Sequence, residues 1–168
     1  LLALAAARAP DLEAMARFAT LAQETLQTEM SLHRSYAREF GISPQELERE
    51  EKAPTCQAYT DFLLRTAALG GFGELVAALL PCMWGFCEIG GRLAQMPLPQ
   101  DPRYAAWVKI YSSPQFAQLA GWCRALLDRL AEGQPPEERA PMERAFLLSS
   151  RYEYLFWEMA WRKEAWPV

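Results

Sequence analysis

Proline occurs repeatedly at the start of segments with helical hydrophobic spacing, and this arrangement constrains the fold more than any other feature of the sequence. The pairs are Ser43-Pro44, Asp101-Pro102 and Ser113-Pro114. Proline is tolerated in the first turn of an α-helix, and a preceding Ser or Asp side chain can accept a hydrogen bond from a free amide there. No segment shows the alternating pattern of a β-strand. The sequence therefore predicts an all-α bundle of about six or seven helices joined by short links.

The hydrophobic spacing and the helix-breaking residues set the expected bounds of the main helices. Asp11 can cap a helix that ends at Gly41, and Thr55 can cap another that ends at Leu69. A long apolar helix is expected over 72–95, and the last helix is expected from near Pro141 to Trp166. Gly90 and Gly91 either weaken the long helix near its end or let a neighbouring helix approach closely.

Size, composition and charge favour one well-packed domain over residues 1–168. Of the 168 residues, 51% are hydrophobic, which is ample for a substantial core. The net charge of -4 and the lack of a basic cluster disfavour nucleic acid and anionic membrane surfaces as partners. No apolar run approaches the roughly 18 residues of a membrane helix, so no membrane association is expected. The segment Leu1–Arg8 has the pattern of a helix end, so we expect further chain, with one or more helices, before Leu1.

Thiol and imidazole side chains are the candidate metal ligands and nucleophiles, and they are few. The four cysteines are Cys56, Cys82, Cys87 and Cys123. Because they show neither paired nor metal-like spacing, we expect reduced thiols in a cytoplasmic protein. His33 is the single histidine, which disfavours sites with several histidine ligands. Glu29 lies four residues before it, and we expect a solvated or hydrogen-bonded pair rather than a metal site. We therefore predict no metal and no cofactor.

Pro81 lies inside the long apolar helix, and Cys82 follows it directly. Proline lacks an N–H and its ring clashes with the carbonyl four residues back, so the Ala77 carbonyl loses its usual partner and a kink is expected. At an irregular place in a helix, a thiol can be accessible and chemically tuned. The alternative is inert packing, because free cysteine is among the most buried residue types. Phe86, one turn later, shares a face with Cys82.

The last predicted helix is apolar and aromatic nearly all round between Tyr152 and Trp161, which indicates burial on most sides. Glu153 lies in this segment, on the side of Phe156. Burial disfavours the ionised carboxylate, so we expect a raised pKa for Glu153, which would suit it for proton transfer near neutral pH. The alternative is an outward-facing side chain, or one paired with Arg151 or Arg162.

Four separated segments, taken together and in order, resemble the TenA (thiaminase II) family in its cysteine-containing class. They are APTCQAYT (53–60), AALLPCMW (77–84), WVKIY (107–111) and RYEYLFWEMA (151–160). The likeness runs essentially from Leu1 to Val168. It implies a heme-oxygenase-like helical fold without haem, usually a homotetramer. It also implies hydrolysis of 4-amino-5-aminomethyl-2-methylpyrimidine, and of thiamin, to release 4-amino-5-hydroxymethyl-2-methylpyrimidine for thiamin salvage.

The resemblance also implies roles for individual residues. Cys82 matches the nucleophile that adds to the pyrimidine ring, and Glu153 matches the proton donor and acceptor of the reaction. Tyr59 and Tyr111 match tyrosines of the substrate pocket. Phe156 matches an aromatic residue that packs on the pyrimidine.

The chain departs from the family pattern at two places. The family often has Tyr at the position of Phe86, so the stacking surface is kept but a hydroxyl is lost, which affects substrate choice and rate more than reaction type. The family's aspartate, which binds the aminopyrimidine edge, belongs to a Gln-Asp-Tyr segment that does not occur from Leu1 onward. We expect this segment to precede Leu1, and without it we expect weak substrate binding.

Two other functions remain open from the sequence. A metal-dependent oxygenase on the same fold would need several carboxylates and Glu-x-x-His pairs, which a single histidine disfavours. A non-catalytic helical module that binds a pyrimidine or a protein partner is the other alternative, and Phe86 is compatible with it.

Overall fold

The computed structural model describes residues 1–167, and Val168, the last residue of the predicted domain, lies outside the described residues. The described part of the chain forms nine α-helices and one π-helical turn, without a β-strand. The elements are α1 (Leu2–Arg8), α2 (Leu12–Glu24), a π-helical turn (Thr25–Glu29), α3 (Met30–Glu39), α4 (Pro44–Arg49), α5 (Pro54–Leu69), α6 (Phe72–Leu93), α7 (Pro102–Tyr111), α8 (Pro114–Ala131) and α9 (Pro136–Arg162). The all-α prediction is confirmed. The helix count exceeds the expected six or seven, and the unpredicted π-helical turn that separates α2 from α3 accounts for one of the additional helices.

The predicted caps at the starts of four helices are confirmed. Each side chain accepts a hydrogen bond from an amide two or three residues later, which satisfies a group that has no partner within the helix. These caps are Asp11 with the Ala14 amide, Ser43 with the Glu46 amide, Asp101 with the Arg103 amide and Ser113 with the Phe116 amide. In α4 the Glu46 side chain also accepts from the Ser43 amide, which completes a capping box.

The expected cap at Thr55 is wrong, because α5 begins one residue earlier at Pro54 and its N-cap residue is Ala53. Thr55 lies inside the first turn, where its amide has no helical partner. The carboxylate of Glu164 supplies that partner: the Thr55 amide donates to Oε2 at 2.9 Å and the Thr55 hydroxyl to Oε1 at 3.1 Å. The segment after α9 therefore caps the start of α5.

The expected bounds of the last helix are also wrong at both ends. α9 begins at Pro136, where the Pro135-Pro136 pair opens the helix, and it continues through Pro141. It ends at Arg162, because Lys163 adopts the left-handed conformation with φ of 52°. The Glu164 amide then donates to the Met159 carbonyl at 3.0 Å, which closes the helix end.

The single helix expected between Asp11 and Gly41 contains an unpredicted π-helical turn over Thr25–Glu29. A π-helical turn inserts one extra residue into a helix, and such turns are frequent at functional sites. Gly41 ends the segment with φ of 82°, as expected for a residue after a helix C-terminus.

α6 is the central helix and packs against α1, α5, α7, α8 and α9. It runs as one helix through Pro81, and every residue over 75–81 is buried. Exposure begins at the next residue, Cys82. The helix therefore leaves the core at the cysteine.

The length and composition of α6 contradict the expectation that no apolar run is long enough for a membrane helix. α6 has 22 residues and is apolar enough to cross a membrane by length and composition alone. Half of the residues in its most apolar stretch of 18 are buried inside the protein. Core helices pass the same test of composition, and the packing of α6 against five other helices accounts for its apolar character.

Gly90 settles which of the two roles expected for the Gly90-Gly91 pair applies. A Cβ atom at Gly90 would lie 2.6 Å from the Tyr111 carbonyl carbon and 2.8 Å from its oxygen, whereas a Cβ at Gly91 would meet no atom within 4 Å. Gly90 therefore allows the end of α7 to lie directly against α6. This contact fixes the position of Tyr111 relative to Cys82.

Candidate active site

A series of hydrogen bonds connects Glu153, Tyr59, Ser149 and the Ala78 carbonyl between α5, α6 and α9, and we call it the polar chain. Its first contact joins Tyr59 to Glu153. The Tyr59 hydroxyl donates to Oε1 of the Glu153 carboxylate at 2.6 Å, a length typical of a bond to an ionised acceptor. Burial raises the pKa of Glu153, while hydrogen bonds from Tyr59 and Cys82 oppose the increase. The expected upward shift is thus confirmed. Among the described residues, Glu153 forms no ion pair with Arg151 or Arg162.

Ser149 continues this polar chain, and sequence reasoning missed it. It lies one helical turn before Glu153 on α9, fully buried. Its Oγ lies 3.0 Å from the Tyr59 hydroxyl and donates to the Ala78 carbonyl at 2.6 Å. The four-residue spacing from Glu153, in a helix with a buried face, is the signal that could have identified it.

Cys82 lies beside Glu153 where α6 emerges from the core. Its side chain is accessible to solvent, yet protein atoms surround the thiol on most sides. We refer to the surroundings of this thiol as the recess. This burial is the main cause that raises the pKa of Cys82, followed by the negative charges of Glu153 and Glu29. In the unliganded protein the thiol is therefore protonated at neutral pH, and a base must remove the proton before the sulfur can act as a nucleophile.

Glu29 is a second acidic group at this recess, which sequence reasoning placed only in the pair with His33. That pair is confirmed, with His33 Nε2 3.6 Å from Glu29 Oε1. The charge of Glu29 also raises the pKa of Cys82 and, after burial, that of Tyr111. The π-helical turn ends at Glu29, and such a turn leaves no hydrophobic pattern from which it could be predicted.

Four aromatic rings form a second group at the recess, around Phe86 on α6. The Phe86 ring centroid lies 5.0 Å from Tyr111, 5.9 Å from Trp107 and 5.3 Å from Trp157. The pKa of Tyr111 is raised to about 12, first by burial and then by the charges of Glu29 and Cys82. Tyr111 therefore belongs to the aromatic group and is also close enough to the thiol for the charge of Cys82 to influence its pKa. This aromatic group gives the recess flat apolar surfaces suited to a planar ring.

The structure brings five of the six predicted site residues to this recess. Cys82, Glu153 and Tyr59 interact with one another, and Phe86 and Tyr111 belong to the aromatic group. Phe156 is connected to the aromatic group less directly, because its ring centroid lies 6.4 Å from that of the adjacent residue Trp157. The sequence did not single out Trp157 as a site residue, although it lies within the matched segment of α9.

The donor groups of the described residues provide no candidate metal centre, since no three His, Cys, Asp or Glu side chains there lie close enough to hold an ion. All four cysteines are free thiols, and Cys123 is completely buried in the core. Two surface depressions occur elsewhere, one between α3 and the start of α7 and one between α3 and α4. Neither depression is lined by a predicted site residue. The candidate site is therefore defined by the contacts among Cys82, Glu153, Tyr59 and the aromatic group.

Comparison with known proteins gives consistent matches over nearly the whole chain. The model of the TENA/THI-4/PQQC family matches residues 1–163. The aminopyrimidine aminohydrolase of Halalkalibacterium halodurans is 43% identical over 99% of this chain and 75% of its own length. The aminopyrimidine aminohydrolase of Bacillus subtilis is 41% identical over 96% of this chain and 68% of its own length.

A solved structure gives the same result for the fold. The TenA homologue from P. horikoshii superposes with a TM-score of 0.82 at 30% identity, over 96% of this chain and 74% of that chain. TenA homologues have the all-α heme-oxygenase-like fold, which confirms the fold predicted from the resemblance. The family match, the sequence identities and the fold agree, and the chain belongs to the TENA/THI-4/PQQC family.

Proposed function

We propose that this protein is an aminopyrimidine aminohydrolase of thiamin salvage. Its substrate is 4-amino-5-aminomethyl-2-methylpyrimidine, with thiamin as a second substrate, and its product is 4-amino-5-hydroxymethyl-2-methylpyrimidine. The observation that carries the proposal is the interaction of an accessible thiol, Cys82, with a partly buried carboxyl, Glu153, beside a group of aromatic rings. Relatives that bear the name of this activity are 41–43% identical to the chain.

Cys82 acts as the nucleophile in this proposal. Because burial and two negative charges raise its pKa, the thiol does not ionise by itself at neutral pH. Glu153 accepts the thiol proton as the sulfur forms a bond to the electron-poor pyrimidine ring. Loss of the thiol proton is thus coupled to formation of the bond between sulfur and the ring, so the thiolate does not form before substrate is bound.

Glu153 then acts as an acid. The proton that it received from Cys82 supports addition to the ring and departure of the amine from the exocyclic methylene, where the C–N bond breaks. Water supplies the hydroxyl group that replaces the amine, and the sulfur leaves with a proton, which restores the thiol. Carboxylic acids with raised pKa values suit both directions of this transfer.

The aromatic residues bind the substrate ring. Phe86, Tyr111 and Phe156 offer flat surfaces for the pyrimidine, and Tyr59 holds the Glu153 carboxylate in place through its 2.6 Å hydrogen bond. Phe86 carries no hydroxyl, so its contribution is packing alone.

We also propose that the protein is a single-domain, cytoplasmic homotetramer. Four free thiols suit a reducing compartment. The burial expected on most sides of α9 between Tyr152 and Trp161 is wrong, because no residue of this segment is fully buried. Large apolar side chains are exposed on its outer face, among them Tyr154 (66% exposed) and Trp161 (86% exposed), and such surfaces mark protein contacts. Light scattering of the purified protein tests the tetramer.

A product assay on the complete protein tests the activity. The aminomethyl pyrimidine and thiamin are supplied side by side, and the hydroxymethyl pyrimidine is measured. Release from either substrate supports the proposal, and the ratio of the two rates gives the preference.

The assay also separates the two alternatives. Binding of the pyrimidine without product would support a non-catalytic binding module. Activity that requires added iron and oxygen would support an oxygenase, for which the described residues offer no metal centre.

A further inference from the structure

The polar chain between α5, α6 and α9 has three short oxygen–oxygen contacts. The Tyr59 hydroxyl oxygen lies 2.6 Å from Glu153 Oε1 and 3.0 Å from Ser149 Oγ, and Ser149 Oγ lies 2.6 Å from the Ala78 carbonyl oxygen. Each hydrogen bond needs one hydrogen, and a carbonyl or a carboxylate can only accept. When Glu153 is ionised, two hydroxyl hydrogens must therefore serve three contacts.

The Ala78 carbonyl fixes the direction of the chain at one end. Because it cannot donate, Ser149 must give it the single hydrogen of its hydroxyl. Ser149 can then only accept from Tyr59. If Tyr59 donates to Ser149, its contact with Glu153 holds a hydrogen bond only when Glu153 is protonated and donates.

We propose that Ser149 is a positioning residue that sets the direction of this chain, so that all three contacts are complete only when Glu153 carries a proton. When Glu153 is ionised, Tyr59 turns its hydrogen to the carboxylate, and the Tyr59–Ser149 contact has no hydrogen. The Tyr59 hydroxyl therefore changes partner whenever Glu153 gains or loses a proton. The use of this exchange in catalysis rests on the proposed function, whereas the exchange itself does not.

The surroundings leave few other groups that could control Glu153. Ser149 is fully buried, so solvent does not replace its hydrogen bonds. Among the described residues, Tyr59 on α5 and Cys82 on α6 are the titratable groups that influence the pKa of Glu153, and no charged group on α8 or α9 does. Glu29, in the π-helical turn, raises the pKa of Cys82, and the charge of Cys82 raises the pKa of Tyr111 on α7.

Titration of Glu153 in the substrate-free protein tests the proposal. The carboxyl carbon is followed by ¹³C NMR, and Glu153→Gln assigns its signal. Ser149→Ala removes the acceptor for the Tyr59 hydrogen in the protonated state, so the pKa of Glu153 should fall by about half a unit to one unit. Tyr59→Phe removes the donor to the carboxylate, so the pKa of Glu153 should rise.

Ser150→Ala is the matched control. Ser150 is the next residue on α9 and also donates to a backbone carbonyl, that of Phe146 at 2.9 Å, without being part of the polar chain. The pKa of Glu153 should be unchanged in this variant. An unchanged or raised pKa in Ser149→Ala would overturn the proposal.

A measurement on the unaltered protein keeps the proposal testable if Ser149→Ala does not fold. The ¹³C signal of the Tyr59 ring carbon that carries the hydroxyl should titrate with the same midpoint as Glu153, because the hydroxyl changes partner there. A Tyr59 signal that is constant through the Glu153 titration would contradict the exchange. Both titrations omit substrate, so a protein that titrates as proposed but releases no product contradicts only the proposed function.

Discussion

The Tyr59 hydroxyl oxygen lies 2.6 Å from Oε1 of Glu153, although the two residues are 94 positions apart in the sequence. The contact joins α5 to α9 across the end of the buried part of α6. It holds the carboxylate beside Cys82, whose thiol emerges from the core at this level. The geometry therefore places a carboxylate of fixed orientation beside the thiol, which is the arrangement that the proposed proton transfer requires.

Replacement of Glu153 by Gln should remove most of the activity while the protein stays folded. The amide keeps the size of the side chain but cannot take the Cys82 proton, so kcat should fall by roughly 10²–10⁴-fold. Steady-state product release measures the effect. Glu158→Gln is the matched control, because Glu158 lies on the same helix and pairs with Arg162 at 2.7 Å away from the polar chain. Equal losses in both variants would remove the acid/base role of Glu153.

The thiol of Cys82 should react slowly with iodoacetamide at neutral pH in the substrate-free protein. Its pKa is raised above the ordinary value of 9.0, first by burial and then by the charges of Glu153 and Glu29, so the thiolate forms only at higher pH. Glu153→Gln should lower the midpoint, and Glu29→Gln should lower it less. Mass spectrometry of the alkylated peptide gives the rates, and a midpoint below 9.0 in the unaltered protein would contradict this description of the recess.

Stability should depend on pH through the same carboxyl. The pKa of Glu153 is raised in the folded protein above its ordinary value of 4.5, so the folded state holds this proton more tightly than the unfolded chain. The stabilisation is complete below 4.5 and is lost as pH rises through the folded pKa. The free energy of unfolding, measured with urea across this range, should therefore fall less steeply in Glu153→Gln than in the unaltered protein. Parallel curves would show that Glu153 titrates alike in both states.

Gly90→Ala should destabilise the protein and displace Tyr111. The added Cβ would lie 2.6 Å from a backbone atom of α7, which cannot be relieved by a side-chain rotation. A cost of about 1–3 kcal/mol is expected, together with weaker substrate binding. Gly91→Ala is the control: its Cβ meets no atom within 4 Å, so stability should be unchanged or higher by up to about 1 kcal/mol. Similar stabilities of the two variants would mean that α7 does not need the close approach.

Much of the fold could be predicted because the starts of most helices depend on residues that are close together in the sequence. Asp11, Ser43, Asp101 and Ser113 cap their helices through contacts within three residues, and such contacts depend on the sequence nearby. The prediction failed where a proline marks a helix start at a residue other than the expected one, as at Pro54 and Pro136. The long-range partner of the Thr55 amide, Glu164, could not be predicted from the neighbouring sequence at all.

The candidate site shows the same division. A raised pKa for Glu153 could be expected from its apolar neighbours on α9. Its partners, Tyr59 and Ser149, depend on the packing of α5 and α6 against that helix, which no local pattern specifies. The approach of Glu29 depends on the π-helical turn, and Trp157 joins the aromatic group through contacts between helices.

The most direct test of the proposed mechanism replaces Cys82 by Ser and measures release of the hydroxymethyl pyrimidine from the aminomethyl pyrimidine. Cys87→Ser, a change of the same chemistry five residues further along α6, is the matched control, and circular dichroism verifies that both variants fold. We expect Cys82→Ser to release no measurable product and Cys87→Ser to be as active as the unaltered protein. Undiminished turnover by folded Cys82→Ser would contradict the proposal that this thiol performs the reaction.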